Sequence, residues 1–355
     1  MRIPPVGMEN RAMSNDTMRC GVVGVGRMGR HHARVYAQLE GAELVGVVDH
    51  SQERRTTITD EWGGAPLATV QELIDLGVDA VTIATPTIHH REAAEALLEA
   101  GVACLIEKPL APTADEAMAI AETAQRCETT LQVGHVVRFD PVMQAIKSLG
   151  PIHPRHVEVS RISPMTFRSL DVSVVLDMMI HDLDLLLMLV GREPEDIQAS
   201  GVPVLSDQID VCNARLTFPA AEEGFRTVAN VTASRLALKT ERKIRIISED
   251  LYLSADFATR SGTVVRKSSN EAKLQEMQDR IRSGEDLSDV NYLDLVEFDE
   301  LQVDDVEPLR LQAEDFLHNV RTGTRPSIDA EAGFAAVRTA ERILESAHAT
   351  GAIGV

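Results

Sequence analysis

The sequence predicts two domains, an α/β domain on a doubly wound parallel sheet and then an α+β domain with a mainly antiparallel, open sheet. Three observations carry this expectation. Short apolar runs alternate with helical patterns up to about residue 140. Beyond about residue 150 the rhythm changes to consecutive period-2 stretches with no helices between them. A chain of 355 residues also exceeds the ~250–300 at which single cores stop growing.

Taken in order, Arg19–Gly24 reads as a strand and Arg27–Leu39 as a helix. Ala42–Asp49 and Ser51–Trp62 repeat the pair, as do Val78–Ala84 with Ile88–Ala100. Val102–Ile106, Thr113–Arg126 and Thr130–Gly134 close the pattern. The run Val81-Thr82-Ile83-Ala84 is almost wholly apolar, as befits a strand covered on both faces. A helix is expected over Val174–Val190. Strands are expected at Ala214–Phe218, Thr227–Ser234, Lys243–Ile247 and Leu251–Phe257. Residues 268–293 are polar and helix-prone, and read as an insertion. Residues 294–307 hold seven acids and no base, which suits a solvated edge strand and loop. Helices over Leu309–Thr322 and Ala330–Ala349 follow, split by Gly323 and Pro326, with Asp329 as N-cap of the second. The expected boundaries are a disordered extension over 1–17, a cofactor domain over 18–140 and a substrate and oligomerisation domain over 141–330. A closing helix over 331–355 should pack back on the body.

Composition narrows the function. The hydrophobic fraction of 44% supports a sizeable core. A net charge of -20, from 35 Lys+Arg against 55 Asp+Glu, argues against nucleic-acid and anionic-membrane partners. Aromatics are 3% of the chain, too few for a base-stacking platform. Cys20, Cys104, Cys127 and Cys212 form no CxxC pair, so neither a zinc ribbon nor a disulfide framework is expected. No metal is expected. Reduced thiols suit a cytoplasmic protein. The longest apolar run, Leu183–Val190, is far short of the ~20 residues of a membrane span. Residues 1–17 lack the apolar stretch of a secretory signal, and Met18 is a second plausible start.

Gly24-Val25-Gly26-Arg27-Met28-Gly29 lies between an expected strand and an expected helix. In that context Gly24 permits the tight turn, Gly26 lets the backbone approach a pyrophosphate, and Gly29 lets helix and strand pack closely. The helix N-terminus offers free N–H groups to phosphate. Asp49 ends the second strand, where a carboxylate accepts hydrogen bonds from ribose hydroxyls. That carboxylate favours NAD over NADP. Arg54 and Arg55, which could accept a 2′-phosphate, read first as a solvated helix face.

Ligands of such a sheet bind at strand C-terminal ends. Thr85-Pro86-Thr87 ends one strand, with His90 on the next helix. Glu107-Lys108-Pro109 ends another. A lysine at the end of a buried strand needs a cleft or a partner, and Glu107 points the other way. Asp177 and His181 are four apart in an apolar helix, so they share a face. By themselves they suit a surface ion pair, a satisfied core histidine or a catalytic pair.

Together Gly24–Gly29, Thr85-Pro86 with His90, Glu107-Lys108-Pro109, Asp177 with His181, and Pro308–Pro326 resemble the Gfo/Idh/MocA oxidoreductase family from residue 19 onward. The resemblance implies a Rossmann domain, an α+β domain whose open sheet face supports a homo-oligomer of two or four chains, and Lys108, Asp177 and His181 as catalytic residues. Arg27, Met28, Thr85, Pro86, Thr87, His90, Glu107 and Lys108 join Gly24, Gly26, Gly29 and Asp49 as cofactor contacts. His181 suits a general base near neutral pH. Lys108 suits stabilisation of alkoxide charge, and Asp177 suits orienting His181 or binding a substrate hydroxyl.

Gly134–Pro141, Arg161–Pro164 and Asp171–Asp177 are similar to members that oxidise the 3-hydroxyl of UDP-N-acetylglucosamine for amino-sugar, lipid A or surface-glycan synthesis. Two departures stand out, namely Val137 and Asp140 in the first segment and a large Met179. An inositol or a free sugar is the alternative substrate. A diphosphate needs local cations in so acidic a chain. Arg161, Arg168 and Arg235 are candidates, each of which also reads as a salt bridge. His135 and Arg138 are further substrate candidates, and His90 also reads as a packing residue at a helix end.

Overall fold

The computed structural model describes residues 17–167, 171–221, 224–267, 271–288, 290, 291 and 295–350. The expected extension over 1–17 therefore lies outside the described residues except for Thr17, as does Arg168. The chain divides into two compact units. The first runs to Glu107 and adds Ala119–Gly134 and Leu309–Ala330. The second holds Lys108–Met118, His135–Pro308 and the chain from Glu331 on.

The first unit is built on β1 (Met18–Val23), α1 (Gly29–Gln38), β2 (Ala42–Val48), α2 (Gln52–Trp62), β3 (Ala65–Leu67), α3 (Val70–Asp75), β4 (Ala80–Ile83), α4 (His90–Glu99) and β5 (Ala103–Glu107). The chain continues through α5 (Ala114–Arg126) and β6 (Leu131–Gly134). The strands form a parallel sheet in the order β3-β2-β1-β4-β5-β6. Every residue of β4, β5 and β6 is buried, which is why these strands lack polar alternation. The order reverses between β1 and β4, the switch point where such sheets bind ligands. Local signals start the helices. The Ser51 hydroxyl accepts from Arg54 N–H at the head of α2, and Thr69 with Glu72 makes a capping box on α3. The short β3 and α3 were not expected. Their length, 3 and 6 residues, is below what periodicity reveals.

The second unit contains α6 (Pro141–Ser148), β7 (His156–Ile162), α7 (Ile180–Val190), β8 (Asp196–Val202), β9 (Val211–Ala220), β10 (Arg226–Ser234) and β11 (Glu241–Ile247). It goes on with β12 (Leu251–Asp256), β13 (Ser261–Lys267), α8 (Glu271–Ser283) and β14 (Val296–Glu300). After α9 (Pro308–Thr322), most of which belongs to the first unit, α10 (Ala330–Ala349) ends the described chain. Eight strands run in the order β14-β13-β12-β11-β7-β10-β9-β8. All pairs are antiparallel except β7 with β10.

One face of this sheet carries the core. Val157, Val159, Ala214, Leu216, Ala229, Val231, Ile244 and Ile246 pack in one cluster with Leu183 and Leu186 of α7 and Ala340 and Ile343 of α10. Met179 is fully buried in the same cluster, so its bulk serves packing. The other face is a polar ladder, with Asn213 bonded to Thr232, Arg215 to Asn230 and Arg245 to Glu158. The expected solvated edge is β14, four of whose five residues are exposed. The expected helix over Val174–Val190 is one helical run whose first turn is widened. Val175–Met179 is a π-turn, and α7 continues from Ile180. Gly191, at φ 68°, ends it in the left-handed conformation, its N–H bonded to Leu187 O.

Candidate active site

The turn between β1 and α1 is shaped as the glycine spacing requires. Gly24 has φ 84°, and a Cβ there would lie 2.7 Å from the Thr85 backbone nitrogen. A Cβ on Gly29 would lie 1.8 Å from Gly24 O, so helix and strand touch there. A Cβ on Gly26 would meet nothing within 4 Å. The space above Gly26 is therefore open, as a cradle for a pyrophosphate must be. Met28 caps α1 without a side-chain hydrogen bond, and the first turn carries no acid. The helix end is free to receive an anion. Arg27 is exposed beside it.

Asp49 is 7% exposed. One carboxylate oxygen accepts Val25 N–H at 3.0 Å, and the other accepts Ser51 N–H at 2.9 Å. Its position on the glycine turn is therefore set by backbone bonds. His50 and Arg54 stand 3.4 and 3.9 Å from the second oxygen, and Arg55 donates to the Asp49 carbonyl.

At the end of β4 the Thr85 hydroxyl is buried without a hydrogen-bond partner among the described residues. Pro86 is exposed and Thr87 half-buried. His90 is buried at the start of α4, its Nε2 3.0 Å from Thr85 O, so it ties this loop to the helix. At the end of β5 the buried Glu107 carboxylate meets His32 Nε2 of α1 at 2.8 Å. Sequence reasoning did not single out His32. Its burial on α1 depends on a partner 75 positions away.

Lys108, Asp177 and His181 all lie in the second unit. The Lys108 ammonium donates to the Asp177 carbonyl at 2.7 Å and approaches the Asp177 carboxylate at 3.5 Å. Among the described residues the Asp177 bonds thus run to Lys108 and not to His181. Asp177 sits in the π-turn and His181 in the α-helical turn that follows it. His181 is half-buried with Nδ1 enclosed and without a hydrogen-bond partner among the described residues. Desolvation, then the charges of Lys108, Arg161, His135 and Arg242, hold its pKa well below the usual histidine value. The ring is neutral at pH 7 and can accept a proton.

A model of the oxidoreductase family with an NAD-binding Rossmann fold matches residues 18–135. UDP-N-acetylglucosamine 3-dehydrogenase of Acidithiobacillus ferrooxidans is 42% identical over 240 residues, covering 68% of this chain and 74% of that protein. The chain belongs to the Gfo/Idh/MocA family. It is an NAD-dependent oxidoreductase. The solved structure of the Acidithiobacillus enzyme is similar at a TM-score of 0.82 and 34% identity, covering 94% of this chain and 98% of that one. A myo-inositol dehydrogenase of Streptomyces leeuwenhoekii is 34% identical over 203 residues, covering 54% of this chain and 62% of that protein.

Three arginines expected near substrate in this oxidoreductase are tied into the fold. Arg161 holds Asp182 through two bonds of 2.7 Å. Arg138 holds Asp184 at 2.7 and 2.6 Å, with His135 Nε2 4.0 Å from the same carboxylate. Arg235 donates to Asp210 at 2.7 Å and to Ser206 and the Val172 carbonyl. Burial would raise the Asp210 pKa. The Leu205 and Val204 N–H groups, Arg235 and Ser206 more than offset it and hold Asp210 well below the carboxylate range. Asp182, Asp184 and Asp210 as partners were not legible in the sequence, because each pairing joins distant segments. Among the described residues no cluster of three or more His, Cys, Asp or Glu side chains is arranged to hold a metal ion.

Proposed function

We propose that this protein oxidises the 3-hydroxyl of UDP-N-acetylglucosamine to a keto sugar, which an aminotransferase then converts to an amino sugar for lipid A or surface glycan. One observation carries the reading. The dehydrogenase named for that substrate is similar over 98% of its own length, through both units of this chain.

Gly24, Gly26 and Gly29 with the N-terminus of α1 hold the pyrophosphate, and Asp49 holds the ribose. Thr85, with its unspent hydroxyl, and the neighbouring Pro86, Thr87 and His90 complete the cofactor site. Bound NAD supplies the hydride acceptor. The chain's own residues handle the proton and the charge. His181, neutral in its desolvated position, takes the hydroxyl proton. Lys108, steered by the Asp177 carbonyl and one oxygen of its carboxylate, donates to the reacting oxygen and stabilises charge as it develops. Asp177 acts by positioning Lys108.

The cellular setting of the proposal is cytoplasmic. Among the described residues no helix is long and apolar enough to cross a membrane. Cys20, Cys104 and Cys212 are buried free thiols, and burial pushes Cys20 and Cys212 up to about 12. The polar sheet face of the second unit is the proposed surface for a homo-oligomer.

Mixing the protein with NAD and UDP-N-acetylglucosamine, with an aminotransferase to pull the equilibrium, should produce NADH absorbance. Absorbance with myo-inositol and none with UDP-N-acetylglucosamine would replace this reading with an inositol dehydrogenase.

A further inference from the structure

A chain of net charge -20 that takes a diphosphate must present a cation not already spent. Arg138, Arg161 and Arg235 are each committed to a buried carboxylate. Arg242, on β11, is in a different state. Among the described residues its guanidinium has no hydrogen-bond or ion-pair partner.

The register of the sheet says where that guanidinium lies. β11 sends Ile244 and Ile246 into the core, and residues two apart share a side of the sheet. Arg242 therefore belongs to the core-facing side, yet it is exposed. A core-facing position open to water marks a place that no described residue fully covers. Arg242 stands directly opposite Arg161 on the neighbouring strand β7. Arg161 in turn holds Asp182, the residue next to His181. The open end of this face thus borders the catalytic helix.

The charges agree with this geometry. Partial desolvation, then the Arg161 guanidinium, pull the Arg242 pKa down more than Asp140 and Asp182 restore it. Arg242 also helps keep His181 neutral.

We propose that Arg242 receives the substrate's diphosphate and so selects a phosphorylated sugar over a free one. This rests on the sugar-nucleotide reading of the site. The guanidinium supplies paired donors that match phosphate oxygens, and it stands opposite Arg161, whose partner Asp182 adjoins His181.

The test is calorimetric titration of UDP into the NADH-loaded protein, with steady-state oxidation of UDP-N-acetylglucosamine alongside. Arg242→Gln should raise the UDP Kd and the KM by roughly 10- to 100-fold, the loss of one charged hydrogen-bonding group. Arg242→Lys keeps the charge without the fork and should lose less. It carries the test if the glutamine variant folds poorly. Arg282→Gln, an equal charge loss on α8, should change neither constant. Wild-type oxidation of UDP-N-acetylglucosamine with UDP binding equal in both Arg242 variants would overturn the inference and leave the function standing. A wild-type protein that neither binds UDP nor oxidises the sugar nucleotide would overturn both.

Discussion

Arg161 grips the Asp182 carboxylate from Nε and Nη2, both at 2.7 Å, in the position right after His181. Both side chains are almost fully buried. Two residues on, Arg138 grips Asp184 in the same forked manner. The helix that carries the proposed base is thus held by paired charges on both sides of one turn. Such pairs are costly to desolvate and costlier to break.

Asp182→Asn leaves the buried Arg161 charge without its counterion. The expected loss of stability is about 3–5 kcal/mol, read from urea unfolding. A double replacement by apolar residues of similar volume, Arg161→Met with Asp182→Leu, should recover much of that loss. Equal destabilisation of single and double variants would mean that the pair is not the cause.

Lys108→Ala should lower kcat by roughly 10²–10³-fold, the usual loss of one charge-stabilising donor, and His181→Ala by roughly 10²–10⁴-fold, the range for a proton-transfer group. NADH fluorescence titration should show cofactor binding retained, since the glycine turn and Asp49 are untouched. Near-normal turnover in either variant contradicts the assigned roles.

The pH dependence follows from the lowered pKa of His181. The acid limb of kcat/KM should fall well below pH 6.5, the ordinary histidine value. The unfolded chain gains a proton near pH 6.5 while the folded His181 stays neutral, so the unfolded state binds more protons. Stability from this group is therefore intact above that pH and declines as pH falls below it. His181→Asn should flatten this part of the stability profile, measured by urea unfolding at several pH values.

The two later glycines of the turn should separate fold from cofactor. Gly29→Ala puts a methyl 1.8 Å from Gly24 O, so the helix must shift and thermal stability should drop. Gly26→Ala meets no protein atom within 4 Å. Its stability should hold within about 0.5 kcal/mol, while the NAD Kd rises as the methyl enters the cradle. A Gly26→Ala protein with unchanged NAD affinity would deny the cradle its role.

Much of the first unit was legible because its signals are local. Continuous apolar strands, helical periods between them and three glycines at one turn are all read within about thirty residues. The second unit was harder. β7 alternates regularly, but Arg161 fills an inward position and breaks the apolar pattern. β8 turns the small Ala199 and Gly201 inward, too weak a signal to notice.

The candidate site divides the same way. The sequence by itself determined the fold class, the cofactor turn and the residue types at positions 108, 177 and 181, because these follow from spacing along one chain. Only the tertiary structure decided that Asp177 meets Lys108 instead of His181, through a contact between residues 69 positions apart. It alone showed which arginines are spent on buried carboxylates and which is not. Ion pairing depends on which strands lie side by side, and the register that sets Arg242 beside Arg161 joins residues 81 positions apart. No local pattern carries that information.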